Sequence, residues 1–240
     1  MSRRVGVVVF PGSNCEHDVV EAMRLVGADA ELLWHGDATV AGVDAVIVPG
    51  GFAHGDYLRP GAIARFSPVM GAVAEFAAAG GPVVGICNGF QVLLQTGLLL
   101  ADADGSRQAT LAHNTSGRFV DRWVGLRNTG GPCVFLQGLE SFELPVAHAE
   151  GRFATRSATD FARLDAAGQL PLRYAGGSNP NGAEGDVAGA CDPTGRVFGL
   201  MPHPERFVVA TQHPAWHGRL DPDQAGTGLA MFVNAVRAVS

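Results

Sequence analysis

The stretch Pro82-Val83-Val84-Gly85-Ile86-Cys87-Asn88-Gly89-Phe90-Gln91 decides how the rest of the chain is read. It describes a buried strand that stops at a cysteine and turns at once into a helix, predicted over 88–96. The pattern Gly85-x-Cys87-x-Gly89 is the thiol counterpart of the nucleophile elbow. There a sharp strand-to-helix turn crowds the backbone, and the residues two before and two after the nucleophile must be small. The N-terminal N–H groups of such a helix point back at the sulfur and favour the thiolate, which makes Cys87 a candidate nucleophile. The blander alternative is a core thiol at a strand end, since free cysteine is often buried. A partner elsewhere in the chain has to decide between them.

That partner stands far downstream. Residues 197–201 form another buried apolar run, and it leads into Pro202-His203-Pro204-Glu205-Arg206. Proline after His203 biases the histidine toward extended angles. Residues i and i+2 of an extended segment share a face, so His203 and Glu205 are expected side by side. A carboxylate next to an imidazole fixes its tautomer and steadies the imidazolium, the orienting role in a nucleophile–base–orienter triad. His148-Ala149-Glu150 repeats the spacing but lacks the flanking prolines. It is read as structural or interfacial.

Around this core the chain alternates strand and helix. Strands are expected at 5–10, 30–34, 45–48 and 83–86, with helices at 16–26, 61–79 and 88–96. Such alternation implies right-handed βαβ units and a parallel sheet. Beyond residue 118 the apolar runs at 119–124, 133–135, 145–147, 170–174, 187–191 and 197–201 are shorter and punctuated by turns. They suggest partly antiparallel strands laid beside or extending that sheet. A helix at 228–239 ends the sequence. No repeat or linker interrupts it, so one domain over 1–240 is expected.

In an open α/β sheet the site lies at the carboxyl ends of the strands. Pro49-Gly50-Gly51-Phe52 falls there, as does Pro11-Gly12-Ser13-Asn14-Cys15. Consecutive glycines let backbone N–H groups approach a ligand closely. The N–H groups of Gly51 and Asn88 are therefore candidates for an oxyanion hole. Ser13 or Asn14 is expected to cap the first helix.

Bulk properties narrow the class. The chain has 240 residues, 47% hydrophobic and 17% charged, with a net charge of −6. That length suffices for a sizeable core, and the acidic balance argues against nucleic acid as a partner. No secretory signal or membrane span is predicted, and Cys15, Cys87, Cys133 and Cys191 form no CxxC pair. A cytoplasmic protein without a metal or disulfide framework is expected. All 17 basic residues are arginine. A Walker A loop, a Schiff-base lysine and a kinase lysine are thereby excluded, because each needs an ammonium group.

Taken together, Gly85-Ile86-Cys87-Asn88-Gly89-Phe90-Gln91, Gly50-Gly51 and Pro202-His203-Pro204-Glu205 resemble the triad-type, class I glutamine amidotransferases. More narrowly, the chain is similar to the small glutaminase subunits of the phosphoribosylformylglycinamidine synthases of purine biosynthesis. Supporting stretches are Gly55-Asp56-Tyr57-Leu58-Arg59-Pro60-Gly61, His148-Ala149-Glu150-Gly151-Arg152-Phe153 and Asn179-Pro180-Asn181-Gly182. Ala53-His54 and Ala149 depart from the family pattern. The resemblance implies a single-domain α/β amidotransferase fold: a mostly parallel central sheet with helices on both faces and additional antiparallel strands. It implies Cys87, His203 and Glu205 as catalytic residues, and Gly50, Phe52 and Gln91 in contact with L-glutamine. It also implies a large synthetase subunit and a small accessory subunit as partners. No cofactor is expected in this chain, with ATP and magnesium on the synthetase. Two rival readings stay open: a PfpI-type cysteine hydrolase, which shares the elbow, and a catalytically silent assembly subunit.

Overall fold

The computed structural model describes residues 2–218 and 220–239. The expected domain over 1–240 therefore includes Met1, Arg219 and Ser240, which lie outside the described residues. In chain order the elements are β1 (Arg4–Val9), α1 (Glu16–Leu25), β2 (Asp29–Trp34), β3 (Ala45–Val48), α2 (Pro68–Ala78), β4 (Val83–Ile86), α3 (Asn88–Thr96) and β5 (Ala109–Ala112). There follow β6 (Val120–Asn128), β7 (Ser141–His148), β8 (Arg152–Thr155), α4 (Ala158–Ala166), β9 (Leu172–Tyr174), β10 (Val187–Cys191), β11 (Val197–Leu200) and α5 (Leu229–Arg237).

Nine strands form one sheet in the order β2-β1-β3-β4-β11-β10-β9-β6-β7. From β2 to β11 every pairing is parallel, and from β11 to β7 every pairing is antiparallel. The sheet is thus mixed, a parallel half extended by antiparallel strands. All four residues of each of β3, β4 and β11 are buried, which fits central strands covered on both faces. Pro145 lies in β7, an edge strand, where a missing donor is tolerated.

The connection β1-α1-β2 steps toward one edge of the sheet, while β3-α2-β4 steps toward the other. Right-handed crossovers then place α1 and α2 on opposite faces. The order reverses between β1 and β3, and a switch point of this kind opens a crevice at the carboxyl ends of the strands. The loops 10–15 and 49–53 meet there: Ser13 bridges Gly51, and Phe52 N–H donates to Gly12 O at 2.9 Å. The tyrosine- and arginine-bearing loop at 57–60 continues from this crossing.

Several expectations shift. The helix read over 61–79 divides into a 3-10 turn at Ala64–Phe66 and α2, because Ser67 precedes Pro68 and adopts ψ 137°. Residues 133–135 give a 3-10 turn at Val134–Leu136 instead of a strand. The first helix is capped at Cys15 without a side-chain bond. Ser13 Oγ instead accepts from Phe10 N–H at 3.0 Å. A separate two-stranded sheet, β5 with β8, and helix α4 were not anticipated. Among the described residues no helix is long and apolar enough to cross a membrane.

Candidate active site

The elbow is built as its sequence requires. Cys87 takes φ 51° and ψ −104°, a left-handed conformation that a side-chain-bearing residue adopts only under constraint. The constraint is visible on both sides. Cys87 N–H donates to Leu200 O at 2.7 Å, continuing the β4–β11 ladder past its end. Gly89 lies so close to β3 that a Cβ there would sit 1.9 Å from Val48 O. A Cβ on Gly85 would stand 2.7 Å from the Gly89 carbonyl group. The glycines two before and two after the nucleophile are thus close-packing requirements.

Parallel pairing of Leu200 with Ile86 brings the ends of β11 and β4 side by side, which delivers His203 to Cys87. His203 has extended angles, φ −107° and ψ 90°, as the following proline favours. Its contact with Glu205 is made differently from the expectation, because Pro204–Arg206 forms a 3-10 turn. That turn folds the carboxylate back, and His203 Nδ1 donates to Glu205 Oε1 at 2.6 Å. Both side chains are almost wholly buried, 4% and 0% exposed. With Nδ1 committed, Nε2 is left buried without a hydrogen-bond partner among the described residues. Burial disfavours the imidazolium, but the negative charges of Glu205 and Cys87 outweigh it. They raise His203 well above the ordinary histidine value.

Glutamine-sized chemistry needs a cavity beside the sulfur. A tight one, about 60 Å³, is lined by Gly51, Phe52, Asp56, Cys87, Gln91 and His148, among others. A roomier cleft of about 620 Å³ between Arg65, Met70, Gln95 and Arg107 is lined by no cysteine and by none of Cys87, His203 and Glu205. Of the expected substrate contacts, Phe52 and Gln91 line the small cavity. Gly50 does not: it backs onto the far side of His203, where a Cβ would meet Cε1 at 2.8 Å. Gly51 has φ 147°, and its N–H has no hydrogen-bond acceptor among the described residues. Asn88, the other oxyanion candidate, begins α3 directly after the sulfur.

The Asn88 side chain ties the wall together. Its Oδ1 accepts from Ala53 N–H at 3.0 Å, and Nδ2 donates to Asp56 Oδ1 at 3.0 Å and to Gln91 Oε1 at 2.9 Å. Gln91 Nε2 in turn donates to Glu150 O at 2.7 Å. Burial, reinforced by the charge of Glu150 and opposed by the Asn88 hydrogen bond, pushes the Asp56 carboxyl up to about 6. His148 and Glu150 remain outside the triad, yet both line the Cys87 cavity rather than a remote interface. The sequence offered a signal for them in the repeated His-x-Glu spacing. It offered none for Asn114, which holds His148.

Among the described residues the cluster with metal-ligand geometry is Cys15, His203 and Glu205, whose donor atoms lie within 4.8 Å of one another. Its donors are already paired. His203 Nδ1 holds Glu205, and Arg206 Nη2 donates to Cys15 Sγ at 3.4 Å, so a cation would have to displace a guanidinium.

A strained cysteine at a strand end, a buried histidine with one unpartnered nitrogen and a carboxylate fixing the other are the parts that thiol-dependent acyl transfer requires. The family model for a CobB/CobQ-like glutamine amidotransferase domain matches residues 2–239, and the chain belongs to that family. Its relatives point more narrowly. The chain is 51% identical to phosphoribosylformylglycinamidine synthase subunit PurQ of Rubrobacter xylanophilus over 85% of this chain and 89% of that one. It is 45% identical to the PurQ subunit of a Synechococcus strain over 99% and 98%. Among solved structures it matches one of PurLQS from Thermotoga maritima at TM-score 0.81 and 32% identity, covering all of both chains.

Proposed function

We propose that the chain is the glutaminase subunit of a phosphoribosylformylglycinamidine synthase. It hydrolyses L-glutamine to glutamate and ammonia. The ammonia passes to an ATP-dependent synthetase subunit that converts formylglycinamide ribonucleotide to formylglycinamidine ribonucleotide. The observation that carries the reading is the buried His203–Glu205 pair beside Cys87, with Nε2 of His203 buried and without a hydrogen-bond partner among the described residues. Similarity to PurQ subunits along the whole chain supplies the substrate and the partner.

In this reading the Cys87 sulfur attacks the γ-carboxamide carbon, and the carbonyl oxygen takes up the electron pair. The N–H groups of Gly51 and Asn88 hold that oxyanion. His203 Nε2 gives its proton to the departing nitrogen, the C–N bond breaks and ammonia leaves a γ-glutamyl thioester. The same nitrogen then takes a proton from water, whose oxygen attacks the thioester and restores the thiol. Glu205 holds the tautomer that makes both transfers possible. Phe52 and Gln91 border the substrate, and Gly50 gives the space in which the His203 ring sits.

ATP and magnesium are assigned to the synthetase subunit, a division supported by the absence of any lysine to grip a nucleotide phosphate here. A small accessory subunit completes the assembly. The cytoplasmic address assigned to the chain is supported by its four free cysteines. The test is stoichiometric. Cys87→Ser should abolish glutamine-dependent synthesis in the reconstituted complex and leave ammonia-dependent synthesis intact. Loss of both activities in a complex that still assembles would overturn the division of labour. Glutamine-dependent synthesis that survives would remove Cys87 from the chemistry.

A further inference from the structure

His148 is the most deeply buried titratable group in the cavity wall that the mechanism above leaves unused. It is 3% exposed, it lines the same cavity as Cys87, and its Nε2 is buried without a hydrogen-bond partner. A free ring nitrogen in such a place is costly unless something visits it.

Which hydrogens the ring carries follows from its clamp. Asn114 Nδ2 donates to the carbonyl oxygens of Arg118 and His148, both at 2.9 Å. Asn114 Oδ1 accepts from Gly151 N–H at 3.2 Å. The amide is therefore fixed with its oxygen toward the ring, 3.2 Å from His148 Nδ1. An oxygen there can only accept, so Nδ1 carries the hydrogen and Nε2 presents a lone pair. The ring packs closely over Gly151, where a Cβ would stand 2.3 Å from Cε1 and 2.7 Å from Nε2. Burial, joined by the charge of His203, lowers His148 to about 4. At neutral pH the ring is uncharged and its lone pair is available.

We infer that His148 Nε2 accepts a hydrogen bond from the carboxamide –NH2 of bound glutamine, making His148 a further residue of the reaction that reads the amide end of the substrate. The inference rests on the glutaminase reading above. An acceptor at this point does two things. It turns the nitrogen so that one hydrogen faces His148 and the lone pair is left for the proton from His203. It also discriminates: the carboxylate of glutamate has no hydrogen to offer, and its oxygen lone pair would face the lone pair of Nε2. The acceptor selects the amide over the acid and disfavours the product once formed. Because the ring stays neutral, it receives the leaving ammonia without supplying a proton that would trap it as ammonium.

The test compares two leaving groups in the reconstituted synthetase complex. L-glutamine leaves as ammonia, while L-glutamate γ-methyl ester leaves as methanol and carries no hydrogen on its leaving oxygen. His148→Asn keeps a donor toward Asn114 but carries its remaining acceptor oxygen short of the Nε2 position, so the Nε2 acceptor is lost. His148→Phe keeps the ring volume over Gly151 and also loses it. In whichever variant assembles, the ratio of kcat/KM for glutamine to kcat/KM for the ester should fall at least tenfold from wild type, the scale of one buried hydrogen bond. A merely structural role would lower both values together. An unchanged ratio in a folded variant overturns the inference while leaving the glutaminase reading intact. Failure of the wild-type complex to release ammonia from glutamine would instead overturn the parent reading, and the inference with it.

Discussion

Substituting Gly89 by alanine should disable the site without touching a catalytic group. The added methyl would stand 1.9 Å from Val48 O and 2.7 Å from Val48 C, against a floor of about 3.0 Å for real Cβ contacts. The shortfall is about 1.1 Å, and both sides of the clash are backbone. Val48 belongs to a central strand paired on both sides, and Gly89 is in the first turn of buried α3. Neither can yield as a flexible side chain would, so the start of α3 has to move by about an ångström. Overpacking of this kind costs about 1–3 kcal/mol, and the rigid surroundings place the cost at the upper end. The same movement carries Asn88 N–H and Cys87 away from His203. A misplacement of about 1 Å costs roughly a hundredfold in rate. Urea unfolding should show a lower midpoint, and ammonia release by the assembled complex should fall about a hundredfold at saturating glutamine. Wild-type turnover would refute the claim that the elbow's packing sets the nucleophile's position.

Three further outcomes are expected. His203→Asn, which keeps a donor toward Glu205, should lower glutamine turnover by about a hundredfold or more, and turnover within a few-fold of wild type would remove His203 as the acid–base group. Asp56 holds its proton more tightly folded than unfolded, so it lowers stability as pH rises from about 4 to about 6 and leaves a deficit above that range. Asp56→Asn should therefore stabilise the chain at pH 8 by ~1 kcal/mol, discounted for its partial exposure, and by much less near pH 4; equal urea-midpoint shifts at both pH values would refute this. Finally, the 60 Å³ cavity is tight for glutamine, so the isolated chain should release ammonia slowly and the synthetase should stimulate it. Equal kcat with and without the synthetase would refute that dependence.

The meeting of Cys87, His203 and Glu205 was legible because local signals mark them: glycines around Cys87 and prolines around His203. Central strands were legible for a similar reason, since β3, β4 and β11 are unbroken apolar runs between turn residues. What escaped was decided by distant parts of the chain. Nothing within Ala109–Ala112 announces that it will pair with Arg152–Thr155. The balance of parallel and antiparallel pairing depends on which neighbour β11 meets, a choice made across the whole sheet. Helix α4 did carry a cue, the Ser157 side chain accepting from Asp160 N–H, but a short polar helix shows it faintly. The His148 wall was visible only as a spacing, because burial and the Asn114 clamp are properties of the folded chain.

The position of β11 also bears on when the protein becomes active during synthesis. It is the fifth of nine strands across the sheet, seated between β4 and β10, although it comes last of them in the chain. The ribosome must therefore deliver residue 203 before Cys87, made 116 residues earlier, has a base beside it. Until then the centre of the sheet lacks a strand, and the pairing that fills it spans a long stretch of sequence, the kind of contact that slows folding. A nascent or truncated chain ending before β11 exposes a thiol with no acid–base partner. On the proposed mechanism such a chain has no means of spending glutamine.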